Sequence, residues 1–338
     1  AAPGFADPVT AERAATALAT HLGIPVAVSA DGRFLRPLFP TPEEQPLVSI
    51  VIPTRDRADL MGMTLRTLVA KTNYRNFEII IVDNGSVEPE TFALFEEIKA
   101  AWPRTRVVRD DGDFNFPRIC NSGVDVSEGS LILLLNNDIE VIDGTWLDEM
   151  VALISRRDHG VRTGVVGAKL LYPDRSIQHG GVMVGLFGYA SHWFAHCLRE
   201  TPGYEARLLV RQNLSAVTAA CLLIRRDVWD EIGPLDAVRF AEDCNDIDLC
   251  LRARRAGYGV VFTPYALLIH HESASRGKKR NKAHRERLKA QHARMEEAWH
   301  TSVLVDPHHS PNLDRKNLYG AIARAPKDDR APRTDALT

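Results

Sequence analysis

Two apolar stretches of this sequence end in side chains that can hold a cation. "LILLL" leads into Asn136, Asn137 and Asp138, and a carboxylate at a strand end can bind a hard divalent cation such as Mg²⁺ or Mn²⁺. These residue types also favour turns, so a plain turn is the alternative. "LLIHHES" ends in His270 and His271, of which at most one can face the same edge, because strand neighbours point to opposite faces. A histidine here is equally well a hydrogen-bonded structural residue.

A second group of candidates consists of four carboxylates within seven residues, Glu242, Asp243, Asp246 and Asp248. They lie at the start of a predicted helix, where the helix dipole and the free N–H groups favour acidic side chains. Some of them can therefore be simple caps. Four acids exceed what capping needs, however, and one that faces a cleft could serve as a general base. The sequence leaves both interpretations open.

The elements that must position these residues alternate along the first half of the chain. The apolar runs "LVSIVIP", "FEIIIVD", "TRVVRD" and "LILLLNND" are separated by helical stretches, which predicts a parallel sheet covered by helices on both faces. Such sheets bind nucleotides at the carboxyl ends of their strands, so Asp83 and Asp138 should lie on one edge. Arg55, Arg57 and Arg118 are candidates for diphosphate contacts and are equally well exposed arginines without a function.

Composition narrows the class of protein. The 338 residues carry a formal net charge of −2, so no global basic field favours nucleic acid as a partner. The five cysteines are odd in number and form no CxxC pair, which favours reduced thiols and a cytoplasmic location. No stretch reaches the roughly 20 apolar residues of a membrane-spanning helix, and the first residues do not resemble a signal peptide.

Composition also divides the chain into four parts. These are an N-terminal helical segment with a proline-rich linker (1–46), a main domain (47–275) with halves at about 47–140 and 141–275, a basic helical extension (276–313), and a tail predicted to be disordered (314–338). Leu288, Met295 and Trp299 share one face of the basic helix. That helix is expected to pack on the domain, and the alternative is contact with anionic lipid or a lipid-diphosphate acceptor.

The motifs, taken in order, resemble family-2 glycosyltransferases with the nucleotide-sugar-binding fold called GT-A. They are "VSIVIPTRDR", "EIIIVDNGS", "FNFPRICNSGV", "LLLNNDIEV", "VGAKLLYPD", "TAACLLIRRDVWDEIGPLD", "NDIDLCLRARRAGY" and "HHESASRG". The motifs "QHGGV" and "HHES" are similar to those of bacterial enzymes that build O-antigens and other surface polysaccharides, including rhamnosyltransferase-like enzymes. The resemblance implies an α/β fold with a mostly parallel central sheet, flanking helices and a helical C-terminal extension.

The resemblance also implies roles for matching residues. Asp246 matches the general base, Asp138 the metal-binding carboxylate, and His270 a histidine that can complete the metal site. Asn136 replaces the first acid of the family's DXD motif, so metal binding would depend chiefly on Asp138. Three carboxylates are expected on the acceptor side, namely Glu242, Asp243 and Asp248. Asp248 is expected to support its helix or the acceptor. The residues expected to bind the donor are Pro53, Thr54, Arg55, Asp83 (at the base), Asn84, Arg118, Asn121 and Asn137.

The implied activity is inverting transfer of a sugar from a nucleoside-diphosphate sugar to a saccharide or lipid-linked saccharide, with Mg²⁺ or Mn²⁺ as cofactor. A sugar hydroxyl is a poor nucleophile at neutral pH, so the reaction needs a carboxylate base. A nucleotidyltransferase is disfavoured because "PTRDRADL" lacks the glycine-rich loop expected after the first strand. A non-catalytic nucleotide-sugar or glycan-binding module within a larger protein remains the alternative.

Overall fold

The computed structural model of the protein describes residues 7–29, 31–156, 160–272 and 282–323, without the side chains of 282–285. The helices in these ranges are α1 (Pro8–Leu22), α2 (Ala58–Lys71), α3 (Pro89–Ala101), α4 (Phe116–Asp125), α5 (Trp146–Ile154), α6 (Arg226–Ile232), α7 (Asn245–Arg255) and α8 (Lys282–Trp299). The strands are β1 (Val26–Val28), β2 (Leu35–Pro37), β3 (Val48–Thr54), β4 (Phe77–Asp83), β5 (Thr105–Arg109), β6 (Leu131–Leu135), β7 (Ile139–Val141), β8 (Thr163–Leu171), β9 (Ile177–His179), β10 (Val182–Val184), β11 (Ala190–His192), β12 (Gln212–Leu214), β13 (Cys221–Arg225) and β14 (Gly259–His270). None of these helices is both long and apolar enough to cross a membrane.

A ten-stranded sheet forms the centre of the molecule, in the order β12-β14-β8-β13-β6-β3-β4-β5, with β7 paired to β14 and β9 to β8. The nucleotide half is parallel, since β3 pairs in parallel with both β4 and β6, and β4 with β5. The second half is mixed, because β13 runs antiparallel to both of its neighbours while β14 and β8 are parallel. Two separate hairpins are formed by β1 with β2 and by β10 with β11.

The sheet is covered on both faces, as its apolar strands require. Alternate residues of β3 contribute to two different cores, with Ile50 and Ile52 packing toward α2, α3 and α5. Val51 points the other way, toward the core that contains residues of α4, α6, α7 and α8. Burial on both faces explains why these strands read as continuous apolar runs rather than as alternating patterns.

Close approach of α4 to the sheet depends on a glycine. A Cβ atom added at Gly123 would lie 2.6 Å from a methyl carbon of Val51 and 2.7 Å from one of Val82. Asn115 begins the helix by accepting a hydrogen bond from the Arg118 backbone at 3.0 Å. This packing brings the first turn of α4 to the carboxyl ends of β3 and β4.

Both terminal segments contact the central domain. Arg36 of the β1–β2 hairpin lies 3.7 Å from the centre of the Tyr265 ring. In α8, Met295 and Trp299 are buried in the core and Leu288 is partly buried. Residues 314–323, the start of the predicted disordered tail, are also described, and Arg315 donates hydrogen bonds to backbone carbonyls at 3.1 and 3.2 Å. The remainder of that tail and most of the "HHESASRG" motif lie outside the described residues.

Candidate active site

The "NND" segment lies at the carboxyl edge of the parallel strands and is fixed to its neighbours. The side-chain amide of Asn137 donates to the Thr54 hydroxyl at 2.9 Å, at the end of β3. The Thr64 hydroxyl of α2 donates to the Asn137 carbonyl at 2.8 Å. Since Thr54 is paired with Asp83 across the sheet, the predicted shared edge for Asp83 and Asp138 is present.

Asp138 and His270 form a buried pair at this edge. Oδ1 of Asp138 lies 3.1 Å from Nε2 of His270, and both residues are at most 5% exposed. They meet because Ile139, which follows Asp138, pairs with His270 across β7 and β14. Apart from this contact with His270, Oδ1 of Asp138 has no hydrogen-bond partner among the described residues, although it is buried. A buried carboxylate oxygen without a donor normally requires an unseen partner, such as a water or an ion.

The donor set fits a divalent cation. Octahedral Mg²⁺ binds oxygen at about 2.1 Å, so two adjacent ligand atoms lie about 3 Å apart, close to the Asp138–His270 separation. Asn136 Nδ2 lies 3.3 Å from Nε2 of His270, and the neutral tautomer with its proton on Nδ1 would leave on Nε2 the lone pair that a metal needs. Two protein ligands suffice when the substrate's phosphates and water complete the shell.

Asp246 lies in the first turn of α7, where two backbone N–H groups hold its carboxylate. Ala219 donates to Oδ2 at 3.0 Å and Ile247 to Oδ1 at 2.9 Å. Burial raises the pKa of this carboxyl, and the negative charge of Asp243 raises it further. A raised pKa makes a carboxylate a stronger base, which is what proton abstraction from a hydroxyl requires.

The segment Thr218–Ala220 connects this carboxylate to the Asp138 edge. Its Ala219 N–H binds Asp246, and its Ala220 carbonyl accepts from the Asn136 N–H at 3.1 Å. One short stretch of backbone ahead of β13 therefore contacts both the carboxylate that could act as a base and the segment that could hold a cation.

The donor side is built around Asp83 and includes an arginine that sequence reasoning missed. Asp83 is buried and accepts from Arg109 Nη1 at 2.6 Å and from the Ser86 N–H at 2.9 Å. Arg109 pairs with Asp83 across β4 and β5, and the "TRVVRD" run carried no signal for this contact. Asn84 donates to the carbonyls of Asp110 and Gly112 at 3.1 and 2.7 Å. These bonds fix the loop beyond β5 beside Asp83.

The other predicted donor contacts divide into an exposed arginine and residues engaged within the protein. Arg55 is exposed beyond β3, next to Pro53 and Thr54. Arg118 forms an ion pair with Asp110 and donates to the Asp113 carbonyl at 2.6 Å. Asn121 hydrogen-bonds the backbone of Leu235 with both its amide nitrogen and its oxygen. These two hydrogen bonds connect α4 to the segment ahead of α7. A nucleotide contact by Asn121 stays a prediction.

The acids predicted for the acceptor side contact α8. Asp248 is buried and accepts from Arg252 Nε at 2.9 Å and from Trp299 Nε1 at 3.0 Å. Arg287 lies 2.8 Å from Glu242. The side-chain oxygen of Gln291, Oε1, accepts hydrogen bonds from the backbone N–H groups of Glu242 and Asp243 at 3.3 and 2.6 Å. The C-terminal helix thus fixes the loop that leads into Asp246.

A second group of metal-ligand types lies between this loop and α8. Asp243, Cys244 and His292 have ligand atoms within 4.8 Å of one another and are the one such group of three in the described part of the chain. Burial raises the pKa of the Cys244 thiol, which disfavours the thiolate that binds metals. The Asp138–His270 pair is therefore the better fit for a hard cation.

Two histidines that sequence reasoning did not single out also lie near Asp246. His179 is the histidine of "QHGGV", and its Nδ1 lies 3.0 Å from Nδ1 of His192. The charges of Asp246 and Glu272 act on His192 and oppose the burial that lowers its pKa. The "QHGGV" motif could have drawn attention to His179, but nothing in the spacing of the two histidines predicted that they would contact each other.

Comparison with known proteins agrees with this architecture. The family model described as glycosyl transferase family 2 matches residues 49–233, and the chain belongs to that family. The protein y4gI of Sinorhizobium fredii is 45% identical over 319 residues, covering 93% of this chain and 34% of y4gI. The O-antigen biosynthesis protein RfbC of Myxococcus xanthus is 42% identical over 236 residues, covering 68% of this chain and 18% of RfbC. The chain thus spans 34% and 18% of the length of these two relatives.

Solved structures share the fold at low sequence identity. The mannosyltransferase PcManGT of Pyrobaculum calidifontis, in complex with GDP-Man and Mn²⁺, has a TM-score of 0.51 at 15% identity, covering 80% of this chain and 67% of that one. GalNAc-T7 with UDP, GalNAc and Mn²⁺ has a TM-score of 0.57 at 16% identity, covering 75% of this chain and 49% of that one. The α/β GT-A fold implied by the resemblance is confirmed.

Proposed function

We propose that this protein is an inverting, metal-dependent glycosyltransferase that moves a sugar from a nucleoside-diphosphate sugar to a saccharide or lipid-linked saccharide. The product would belong to a bacterial surface polysaccharide such as an O-antigen. Membership in glycosyl transferase family 2 supports the reaction class, and the similarity to an O-antigen biosynthesis protein supports the product class.

The observation that carries the proposal is the buried Asp138–His270 pair, whose carboxylate oxygen accepts no hydrogen bond from any other described residue. Asp138 and His270 would hold the divalent cation, which when bound would neutralise charge on the departing diphosphate. The proposed donor contacts lie along the same edge, with Asp83 fixed by Arg109 and Ser86. Arg55, exposed beyond β3, is free to reach a phosphate.

Asp246 is the proposed base. Its carboxylate takes the proton of an acceptor hydroxyl as that oxygen attacks the anomeric carbon and the bond to the diphosphate breaks. Attack from the face opposite the diphosphate inverts the anomeric configuration. No side chain of this protein forms a covalent bond in that scheme, which agrees with the burial of Cys120, Cys221 and Cys250.

The proposed location is the cytoplasm. Lipid-linked acceptors would be met at the inner face of the membrane, and α8 exposes Arg287, Lys289 and Arg294 for such a contact. Binding to anionic vesicles tests this part. Vesicle binding that is unchanged when the basic side chains of α8 are neutralised would contradict it.

The central experiment measures donor hydrolysis and transfer with UDP-, dTDP- and GDP-sugars and Mn²⁺ or Mg²⁺. The variants are Asp246→Asn and, as a matched control, Asp125→Asn at the exposed end of α4. General-base catalysis contributes about 10²–10⁴-fold, so Asp246→Asn should lose about that factor in kcat while donor affinity stays within twofold. NMR of the product should show the inverted anomer.

Two outcomes would contradict the proposal. Activity of Asp246→Asn within tenfold of the parent would remove Asp246 as the base. Donor binding without hydrolysis or transfer in the parent, even with lipid-linked acceptors, would instead favour a non-catalytic binding module.

A further inference from the structure

A pair of histidines lies beside the proposed base and takes no part in the proton transfer described above. His179, at the end of β9, is fully buried, and His192, at the end of β11, is partly exposed. Their Nδ1 atoms lie 3.0 Å apart, and the rings are inclined at 78°. A contact of this length between two ring nitrogens contains one proton, which one ring donates to the other.

The backbone of Thr218 decides which ring donates. Its N–H is directed at Nε2 of His179 over a long contact of 3.5 Å, and a backbone amide can only donate. A proton on Nε2 of His179 would face this N–H, so that nitrogen carries the lone pair. Burial lowers the pKa of His179 and keeps its ring neutral. The proton of His179 is therefore on Nδ1 and is donated to Nδ1 of His192.

This arrangement fixes the tautomer of His192. With its Nδ1 accepting, the neutral ring carries its proton on Nε2. No hydrogen bond engages that Nε2 within the part of the chain that the structure describes. The charged and titratable groups that act on the ring are Asp246, Glu272, His270 and Asp243. An oriented N–H donor is therefore available near both the proposed base and the proposed metal pair.

We propose that His192 is a substrate-binding residue whose Nε2–H donates to a hydroxyl of the acceptor sugar, and that His179 is a positioning residue that fixes its tautomer. The inference rests on the proposed glycosyltransferase function. The hydroxyl bound by His192 is a neighbour of the nucleophilic one, because a hydrogen bond donated to the attacking oxygen would withdraw electron density from it and make it a weaker nucleophile. Two fixed polar groups, Asp246 and His192, then orient the acceptor.

A spectroscopic experiment tests the tautomer without needing turnover. In protein labelled with ¹⁵N-histidine, the His192 signals are assigned with His192→Ala, and the ring of His192 should have a protonated Nε2 and an unprotonated Nδ1 at pH 7. His179→Asn offers an amide donor near the Nδ1 position and should preserve that pattern, whereas His179→Ala should not. A His192 ring protonated at Nδ1 in the parent would overturn the proposal.

Kinetics test the substrate contact. Loss of one neutral hydrogen bond predicts that His192→Ala lowers acceptor kcat/KM about 3- to 10-fold, while nucleoside-diphosphate affinity stays within twofold. His192→Gln places an amide donor near the former Nε2 and should recover most of the loss, and His21→Ala on exposed α1 is the control. Equal losses in His192→Gln and His192→Ala, or a parallel loss of nucleotide affinity, would indicate a structural role and overturn the proposal. A parent inert with every donor would overturn the proposed function, whereas an active parent indifferent to His192→Ala would overturn this role alone.

Discussion

The hydrogen bond between Trp299 and Asp248 joins the C-terminal helix to the helix that carries the proposed base. Nε1 of Trp299 donates to Oδ1 of Asp248 at 3.0 Å, and the two residues are 3% and 1% exposed. In Trp299→Phe the donor is lost while an aromatic ring remains in the core. Arg252 still binds the other carboxylate oxygen, but Oδ1 is left unpaired. A hydrogen bond to a charged group contributes about 1.5–3 kcal/mol, so the free energy of unfolding should fall by about that amount.

A second tryptophan provides a matched control. Nε1 of Trp102 donates to the neutral carbonyl of Phe77 at 3.2 Å, and the Trp102 ring stacks on that of Phe77 at 4.3 Å. Trp102→Phe keeps a ring for stacking and removes a neutral hydrogen bond, which contributes about 0.5–1.5 kcal/mol. Both substitutions remove the same atoms, but Trp299 is buried and Trp102 is partly exposed, so the difference between the two variants combines the charge on Asp248 with the larger buried surface lost at Trp299.

The measurement is equilibrium urea unfolding followed by far-UV circular dichroism, with equal m-values required for the comparison. The expected order of stability is parent, Trp102→Phe, then Trp299→Phe. Equal losses in the two variants, or a loss below about 0.5 kcal/mol in Trp299→Phe, would refute the inference that this bond stabilises a buried carboxylate.

Three further predictions concern other contacts. Glu149→Gln should cost about 3–5 kcal/mol of stability by urea unfolding, because it leaves the largely buried Arg211 without its charge partner; a loss under 1 kcal/mol would contradict this. Burial acts to raise the pKa of Glu149, but Arg211 lowers it below the ordinary 4.5 overall, so its contribution should be present above about pH 4.5 and lost as pH falls further. Asp138→Asn should weaken Mn²⁺ binding in calorimetry at least about tenfold, and unchanged binding would exclude this carboxylate as a ligand. Gln291→Ala frees the N–H groups of residues 242 and 243, so acceptor KM should rise while nucleotide affinity holds; a fall in nucleotide affinity alone would contradict a role at the acceptor loop.

Local sequence patterns determined the elements and the edge on which the chemistry lies. The runs that became β3, β4 and β6 are mostly apolar because both faces of these strands are buried. Parallel strands place their carboxyl ends together, so the shared edge of Asp83 and Asp138 followed from order along the chain alone. The assignment of Asp246 and His270 to a base and a ligand came from the resemblance, and those roles stay predictions.

The pairings between distant segments were decided only by the tertiary structure. Asp138 meets His270 because β7 pairs antiparallel with β14, and Asp83 meets Arg109 because β4 lies beside β5. The apolar run of "LLIHHES" and the preceding stretch "GYGVVFTP" belong to the single strand β14, whose register against β8 shifts between Thr263 and Leu267.

The contact between His179 and His192 and the packing of α8 on the central domain also depend on pairings between segments that are distant in the sequence. His179 belongs to the central sheet and His192 to the β10–β11 hairpin. The two residues meet because this hairpin packs beside the central sheet. Hydrophobic periodicity specifies which face of a strand or helix is buried, since that depends on neighbours two to four residues away. It carries no information about which distant element covers that face. The sequence therefore determined where along the chain the polar groups occur, and only the packed structure decided which of them share a proton, a charge or a cation site.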